Sequence, residues 1–267
     1  MKKYALFTCD TEFTPPWNQG SWENQERNTF KEGIRIIKDI LSEFGVRGTF
    51  FCQGLMVKEF PDIVTGLARD HLIGSHGYNH ENYGGLPIRV YTKEQPVFLG
   101  DKKRKLALIH KCKAIHLEVL GKEPEVFVAP FNSIDYDLLE ILEETSFKVD
   151  CSCYNYWLGL PSYPFKPFSI DLYELPLSVV RFDGYGYKNV LEGLTFDYGK
   201  ISDILTRDII YITCHPYEFI DIDIPHPRDV LIVGDEKVRI LKRLIKDLIG
   251  KDFEFVDPLM LVKQTIT

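Results

Sequence analysis

Apolar residues fall into two alternating patterns along the chain. Runs such as YALFTC (4–9), GTFFC (48–52), LIGS (72–75), EVFVA (125–129), FKVDCS (147–152), YELPL (173–177), IIYITC (209–214) and FEFV (253–256) are largely apolar, which predicts strands buried on both faces. Between the first two, Phe30, Ile34, Ile37, Leu41 and Phe44 recur at steps of four and three, the spacing of one helix face. Thr29 with Glu32 predicts a capping box at its start, and Gly45 suits its end. Further helices are predicted over 61–70, opening on Pro61, near 101–119, near 135–144, and over 235–249 with Val238, Leu241, Leu244, Ile245 and Leu248 on one face. This alternation predicts a parallel sheet with helices outside it. Seven or eight strand candidates, with no linker-like stretch and no internal repeat, predict an α/β fold: an irregular (β/α) barrel of about seven parallel strands, a single domain over 1–267. The stretches 13–24, 81–100 and 154–172 are rich in aromatics and proline and predict loops over one end.

Composition narrows the function classes. A net charge of −7 over 267 residues argues against a nucleic-acid partner. The one basic run, DKKRKLALIHKCK at 101–113, predicts an amphipathic helix with a solvated face. The opening MKKYALFTCDTEF has neither the apolar core nor the cleavage site of a signal peptide. No stretch approaches the ~20 apolar residues of a membrane span. Cys9, Cys52, Cys112, Cys151, Cys153 and Cys214 are scattered and predicted to be reduced, mostly in the core. The expectation is a cytoplasmic protein with no membrane partner, its oligomeric state open.

Chemistry-bearing residues gather where strands end. YALFTC runs into Asp10-Thr11-Glu12, whose alternate carboxylates can share one face. LIGS runs into His76, with His80 four residues on in GSHGYNH, and IIYITC runs into His215. In parallel α/β barrels catalytic groups sit at such strand ends. One carboxylate and two imidazoles suit zinc or a similar divalent ion and leave coordination positions open. A second carboxylate then serves as base, and a distant histidine protonates a leaving group. That set predicts a hydrolase of an amide or ester without a covalent nucleophile.

The order of these motifs resembles the polysaccharide deacetylase family (carbohydrate esterase family 4, the NodB-homology domain), over roughly 4–217. TCDTE at 8–12 is similar to the family's first motif in its form with one residue between the acids. TFFCQGLMVKEFPDIVTGLARDHLIGSHGYNH at 49–80 resembles its second strand and paired-histidine motif. VFVAPFN (126–132), SFKVDCS (146–152) and YITCHPYE (211–218) resemble the later motifs. The resemblance implies Asp10 as base, Glu12, His76 and His80 as metal ligands, His215 as general acid, and the Phe131 backbone N–H as oxyanion donor. Val128 stands where many members carry an arginine, and Arg181 is the candidate substitute partner for Asp10. Trp17, Tyr154, Trp157 and Tyr217 are candidates to stack on sugar rings. The implied cofactor is one divalent ion, zinc first, with cobalt, nickel or manganese as alternatives. The implied activity is removal of an N-acyl group, most simply acetyl, from a carbohydrate. Two alternatives stand beside it: a hydrolase of a small non-peptide amide (a cyclic ureide or formamido sugar), and a non-catalytic carbohydrate-binding barrel.

Overall fold

A computed structural model describes residues 2–14, 27–84, 98–153, 163–167, 169–176, 180–182, 186–188, 205, 207–221 and 233–265. The elements run β1 (Lys3–Thr11), α1 (Thr29–Phe44), β2 (Thr49–Cys52), α2 (Gly54–Glu59), α3 (Pro61–Leu67), β3 (Leu72–Ser75), α4 (Lys102–Leu120), β4 (Val126–Phe127), α5 (Tyr136–Glu144), β5 (Val149–Asp150), β6 (Tyr173–Glu174), β7 (Val180–Phe182), β8 (Gly186–Lys188), β9 (Ile209–Cys214), α6 (Gly234–Gly250), β10 (Phe253–Phe255) and α7 (Pro258–Thr265). The main sheet runs β9–β1–β2–β3–β4–β5–β6, every pair parallel. β10 pairs with the first residues of β1. No ladder joins β6 to β9 among the described residues, so the sheet forms a curled half-barrel. β7 and β8 make a separate antiparallel pair, which the apolar pattern did not predict.

Alternation along β1 sorts its side chains into two layers. Ala5, Phe7 and Cys9 join Ile34, Ile37 and Leu41 of α1 and Leu244 and Leu248 of α6 outside the sheet. Tyr4 and Leu6 turn inward onto Phe51, Val126, Val149 and Tyr211, with Leu261 of α7 in the same cluster. Both faces are buried, which is why the strand reads as an unbroken apolar run. Val128 is buried in the inner cluster beside Cys151, so no cation stands there.

Local details differ from the sequence pattern where tertiary partners intervene. The residue before α1 is Asn28, in a right-handed conformation and without a side-chain cap, so the expected Thr29–Glu32 box does not form. The Thr29 hydroxyl instead lies 2.6 Å from that of Thr14. Gly45 ends the helix at φ 64°, as a C-terminal glycine should. Helix α4 is not solvated along all its lysines: Lys105 is buried on Asp135, and Lys113 is buried on the Thr145 carbonyl and Glu123. A Cβ at Gly33 would fall on the Pro216 carbonyl oxygen. Helix α1 therefore lies directly on the 3₁₀ turn Pro216–Phe219 that follows His215.

Candidate metal centre and active site

Three strand ends deliver the site. Past β1 the chain turns tightly, Glu12 N–H donating to the Asp10 carbonyl at 3.1 Å, so both carboxylates stay at the end of the sheet. His76 directly follows β3, and its Nδ1–H donates to the Val128 carbonyl oxygen at 3.0 Å. That bond leaves Nε2 bare and aimed at Glu12 Oε2, 3.3 Å away. His80 sits at φ 60°, a left-handed conformation that its turn must enforce. Glu81 enforces it by accepting from the Tyr78 and Asn79 N–H groups and the Tyr83 hydroxyl. His80 Nε2 then lies 2.5 Å from Glu12 Oε2.

One ligand atom each from Glu12, His76 and His80 lies within 4.8 Å of the others, and all three residues are buried. A carboxylate facing bare imidazole nitrogens in a buried space requires protons or a cation between them. The donor set therefore fits a divalent ion, held by one oxygen and two nitrogens. Burial works to lower the His76 imidazole, yet the Glu12 hydrogen bond and the charges of Asp10 and Glu12 raise it above its ordinary value. Burial likewise works to raise Glu12, but His80 and His76 hold it well below the usual carboxylate range. Asp10 is pushed up, chiefly by burial, against the pull of His76 and His215.

His215 approaches from β9 on the other side. Its Nε2 is 3.9 Å from Asp10 Oδ2 and 3.8 Å from Glu12 Oε1, too far for hydrogen bonds. Its Nδ1 is 2.7 Å from Glu218 Oε1, and Glu218 Oε2 is 2.8 Å from Lys237 Nζ. Burial alone would lower His215, but the Glu218 bond and the surrounding carboxylates raise it to about 10. The sequence pattern missed Glu218 and Lys237. Glu218 stands three residues after His215 in HPYE, a spacing that one 3₁₀ turn brings together. Lys237 comes from α6, with no local signal.

The remaining candidates divide. The Phe131 ring packs edge-on against His80, centroids 4.3 Å apart, so the Pro130–Asn132 turn borders the ligand set. Phe131 and Asn132 both have positive φ, 61° and 52°, backbone strain of the kind that gathers at functional sites. Tyr217 is not an open stacking platform. It is 3% exposed, stacks on His215, and donates its hydroxyl to Glu12 Oε1 at 3.4 Å, because a buried phenol needs an acceptor. Trp17, Tyr154 and Trp157 lie outside the described residues, and for Arg181 only the backbone, within β7, is described.

A carboxylate–histidine cluster at the strand ends of a parallel half-barrel stands where α/β barrels carry their active sites. The family model for polysaccharide deacetylases matches residues 27–149. His76, His80 and Phe131 fall inside the matched stretch; Asp10, Glu12 and His215 fall outside it. A peptidoglycan-N-acetylglucosamine deacetylase of Bacillus cereus is 26% identical over 155 residues, which is 56% of this chain. The match takes in about half of that relative's length, 48%. Among solved structures, Puue allantoinase aligns with a TM-score of 0.68 at 14% identity, over 97% of this chain and 89% of its own. A carbohydrate esterase family 4 pseudoenzyme from Bacillus anthracis aligns at 0.55 and 13% identity, over 97% and 65%. Likenesses at such identities show a shared fold.

Proposed function

We propose that this chain is a metal-dependent hydrolase that removes an N-acyl group, acetyl first, from a carbohydrate-containing substrate. One observation carries the reading: Glu12, His76 and His80 converge as a ligand set while Asp10 and His215 flank it. The family-model match over 27–149 and the likeness to the Bacillus cereus deacetylase support a sugar amide as substrate. A divalent ion held there, zinc in first place, supplies acidity to a water molecule and polarises the scissile carbonyl. Asp10 takes a proton from the attacking water. The Phe131 N–H, carried on the strained turn, donates to the oxygen on which charge develops. His215, protonated and anchored through Nδ1 to Glu218, uses Nε2–H to protonate the departing amine. Activity then rises as Asp10 ionises and falls as His215 loses its proton, giving a bell-shaped pH profile.

Elemental analysis of the purified chain, followed by acetate release from N-acetylglucosamine oligomers, tests the proposal. The expected result is about one divalent ion per chain and metal-dependent acetate release. Formate or ammonia release from small amides, without acetate, would move the assignment to the non-peptide amide alternative. Saccharide binding with metal bound and no turnover would leave a binding barrel.

A further inference from the structure

Beneath the site lies a buried polar cluster that the proposed reaction does not use. Along the sheet, Val128 N–H donates to the Ser75 carbonyl at 3.0 Å and Cys151 N–H to the Phe127 carbonyl at 2.9 Å. One rung further, side chains replace both strand partners. The Val128 carbonyl accepts from His76 Nδ1–H, and the Ala129 N–H donates to Ser152 Oγ at 2.7 Å. A single peptide unit is thus gripped at its C=O by the ligand His76 and at its N–H by Ser152. Ser152 spends its one hydroxyl proton on Asp150 Oδ1, at 2.6 Å.

Asp150 and Glu174 are register partners on β5 and β6, 0% and 1% exposed. Glu174 Oε1 accepts from the Cys153 N–H at 3.0 Å. Asp150 Oδ2 and Glu174 Oε2 are both buried without a donor among the described residues. The two side chains are within hydrogen-bonding reach of each other, and burial, hydrogen bonds and the partner carboxyl, not a cation, are the leading influences on both. Two facing carboxylate oxygens cannot bond without a hydrogen between them, and one proton satisfies both.

We propose that Asp150 and Glu174 share one proton and that the pair positions and tunes the ligand His76 through Ser152 and the Val128–Ala129 peptide. The inference rests on the metal-site reading of His76. The negative charge on the pair orients the Ser152 hydroxyl, and Ser152 polarises the peptide. The peptide carbonyl then draws on His76 Nδ1–H and makes Nε2 a stronger donor to a cation. The titratable groups facing the pair are the Cys151 and Cys153 thiols, both themselves pushed up chiefly by burial. β4 sets Val126 and Phe127, neither titratable, against β5, and the segment at Phe165 meets Glu174 through its backbone. Burial raises Asp150 to about 6 and Glu174 well above its usual range, in keeping with one retained proton. The sign follows from linkage: the folded pair holds more protons than the unfolded chain, so its contribution is complete in acid and lost as pH rises through these values.

Two measurements on the full chain test the two halves separately. The first is the melting temperature of the metal-free protein across pH, beside Glu174→Gln, which keeps a hydrogen bond to Asp150 and removes the shared proton. The wild type should lose stability relative to the variant as pH rises from the ordinary carboxyl range, about 4, through the raised value of Glu174. Parallel curves would overturn the shared proton. The second is zinc affinity by chelator competition for Ser152→Ala and Ser152→Thr. The alanine variant should bind about 10-fold more weakly or worse, the range for losing an outer partner of a ligand, and threonine should restore binding. Wild-type affinity in the folded alanine variant would overturn the relay. Failure of the wild type itself to bind zinc would overturn the metal-site reading and the relay's endpoint, while the metal-free measurement still decides the proton.

Discussion

Replacing Lys237 by methionine isolates the buried charges behind His215. Lys237 is 2% exposed and Glu218 fully buried, with 2.8 Å between Nζ and Oε2. Burial alone would raise Glu218; Lys237 is the strongest influence holding it below the usual range, followed by His215. Lys237→Met keeps the packing volume and leaves the buried Glu218 charge without its strongest partner. Breaking a buried pair in this way costs about 3–5 kcal/mol. For a chain of this size each kcal/mol moves the melting temperature by about 2–4 °C, so a drop of roughly 6–20 °C is expected. Adding Glu218→Gln to the same background removes the stranded charge and should recover much of that loss. The double variant should nevertheless turn over poorly, because His215 has lost the carboxylate that orients its Nδ1. Calorimetry on both variants, with acetate-release kinetics on the double, separates the two effects. A single variant melting within about 2 °C of wild type would refute the reasoning, since that corresponds to less than a typical buried-pair loss.

Other outcomes follow from the same geometry. His76→Ala should reduce bound divalent ion from about one per chain to little, read by elemental analysis. In the wild type, affinity should fall as pH drops through the raised titration of His76, because protons compete for Nε2. Asp10→Asn should retain the ion, since Asp10 lies outside the three-ligand set, yet lose about 10²–10⁴ in kcat. Gly33→Ala drives a methyl group into the Pro216 carbonyl and should cost about 1–3 kcal/mol or more, with kcat falling through the displaced Tyr217–Glu218 turn. A melting curve and steady-state kinetics check both parts.

What was legible in the sequence depended on whether the signal was local. Leu72–Ser75 and Ile209–Cys214 have the bounds that their apolar runs predicted, because each is a strand enclosed on both faces. β4, β5 and β6 shrink to two residues each because side chains take over the hydrogen bonding at their ends, as Ser152 does for Ala129. Asp10, Glu12, His76, His80 and His215 were legible as chemistry at strand ends, and the structure brings them together. Lys105, Lys113 and Lys237 were not legible as buried residues. A polarity pattern scores lysine as solvent-facing, and their partners Asp135, Thr145 and Glu218 come from other elements. The capping expectation at Thr29 failed for the same reason, since Thr14 claims its hydroxyl.

Strand β1 has a further consequence, for how the molecule comes to be folded. Its residues pair with Ile209–Cys214 and Phe253–Phe255, more than two hundred positions away, whereas Glu12, His76 and His80 all lie within the first eighty. During synthesis Glu12, His76 and His80 emerge long before β9 and β10 exist. Contacts of such long separation close slowly, and an incompletely paired β1 exposes an apolar edge in the meantime. The nascent chain thus carries Glu12 at the end of a strand that has not yet met β9 and β10.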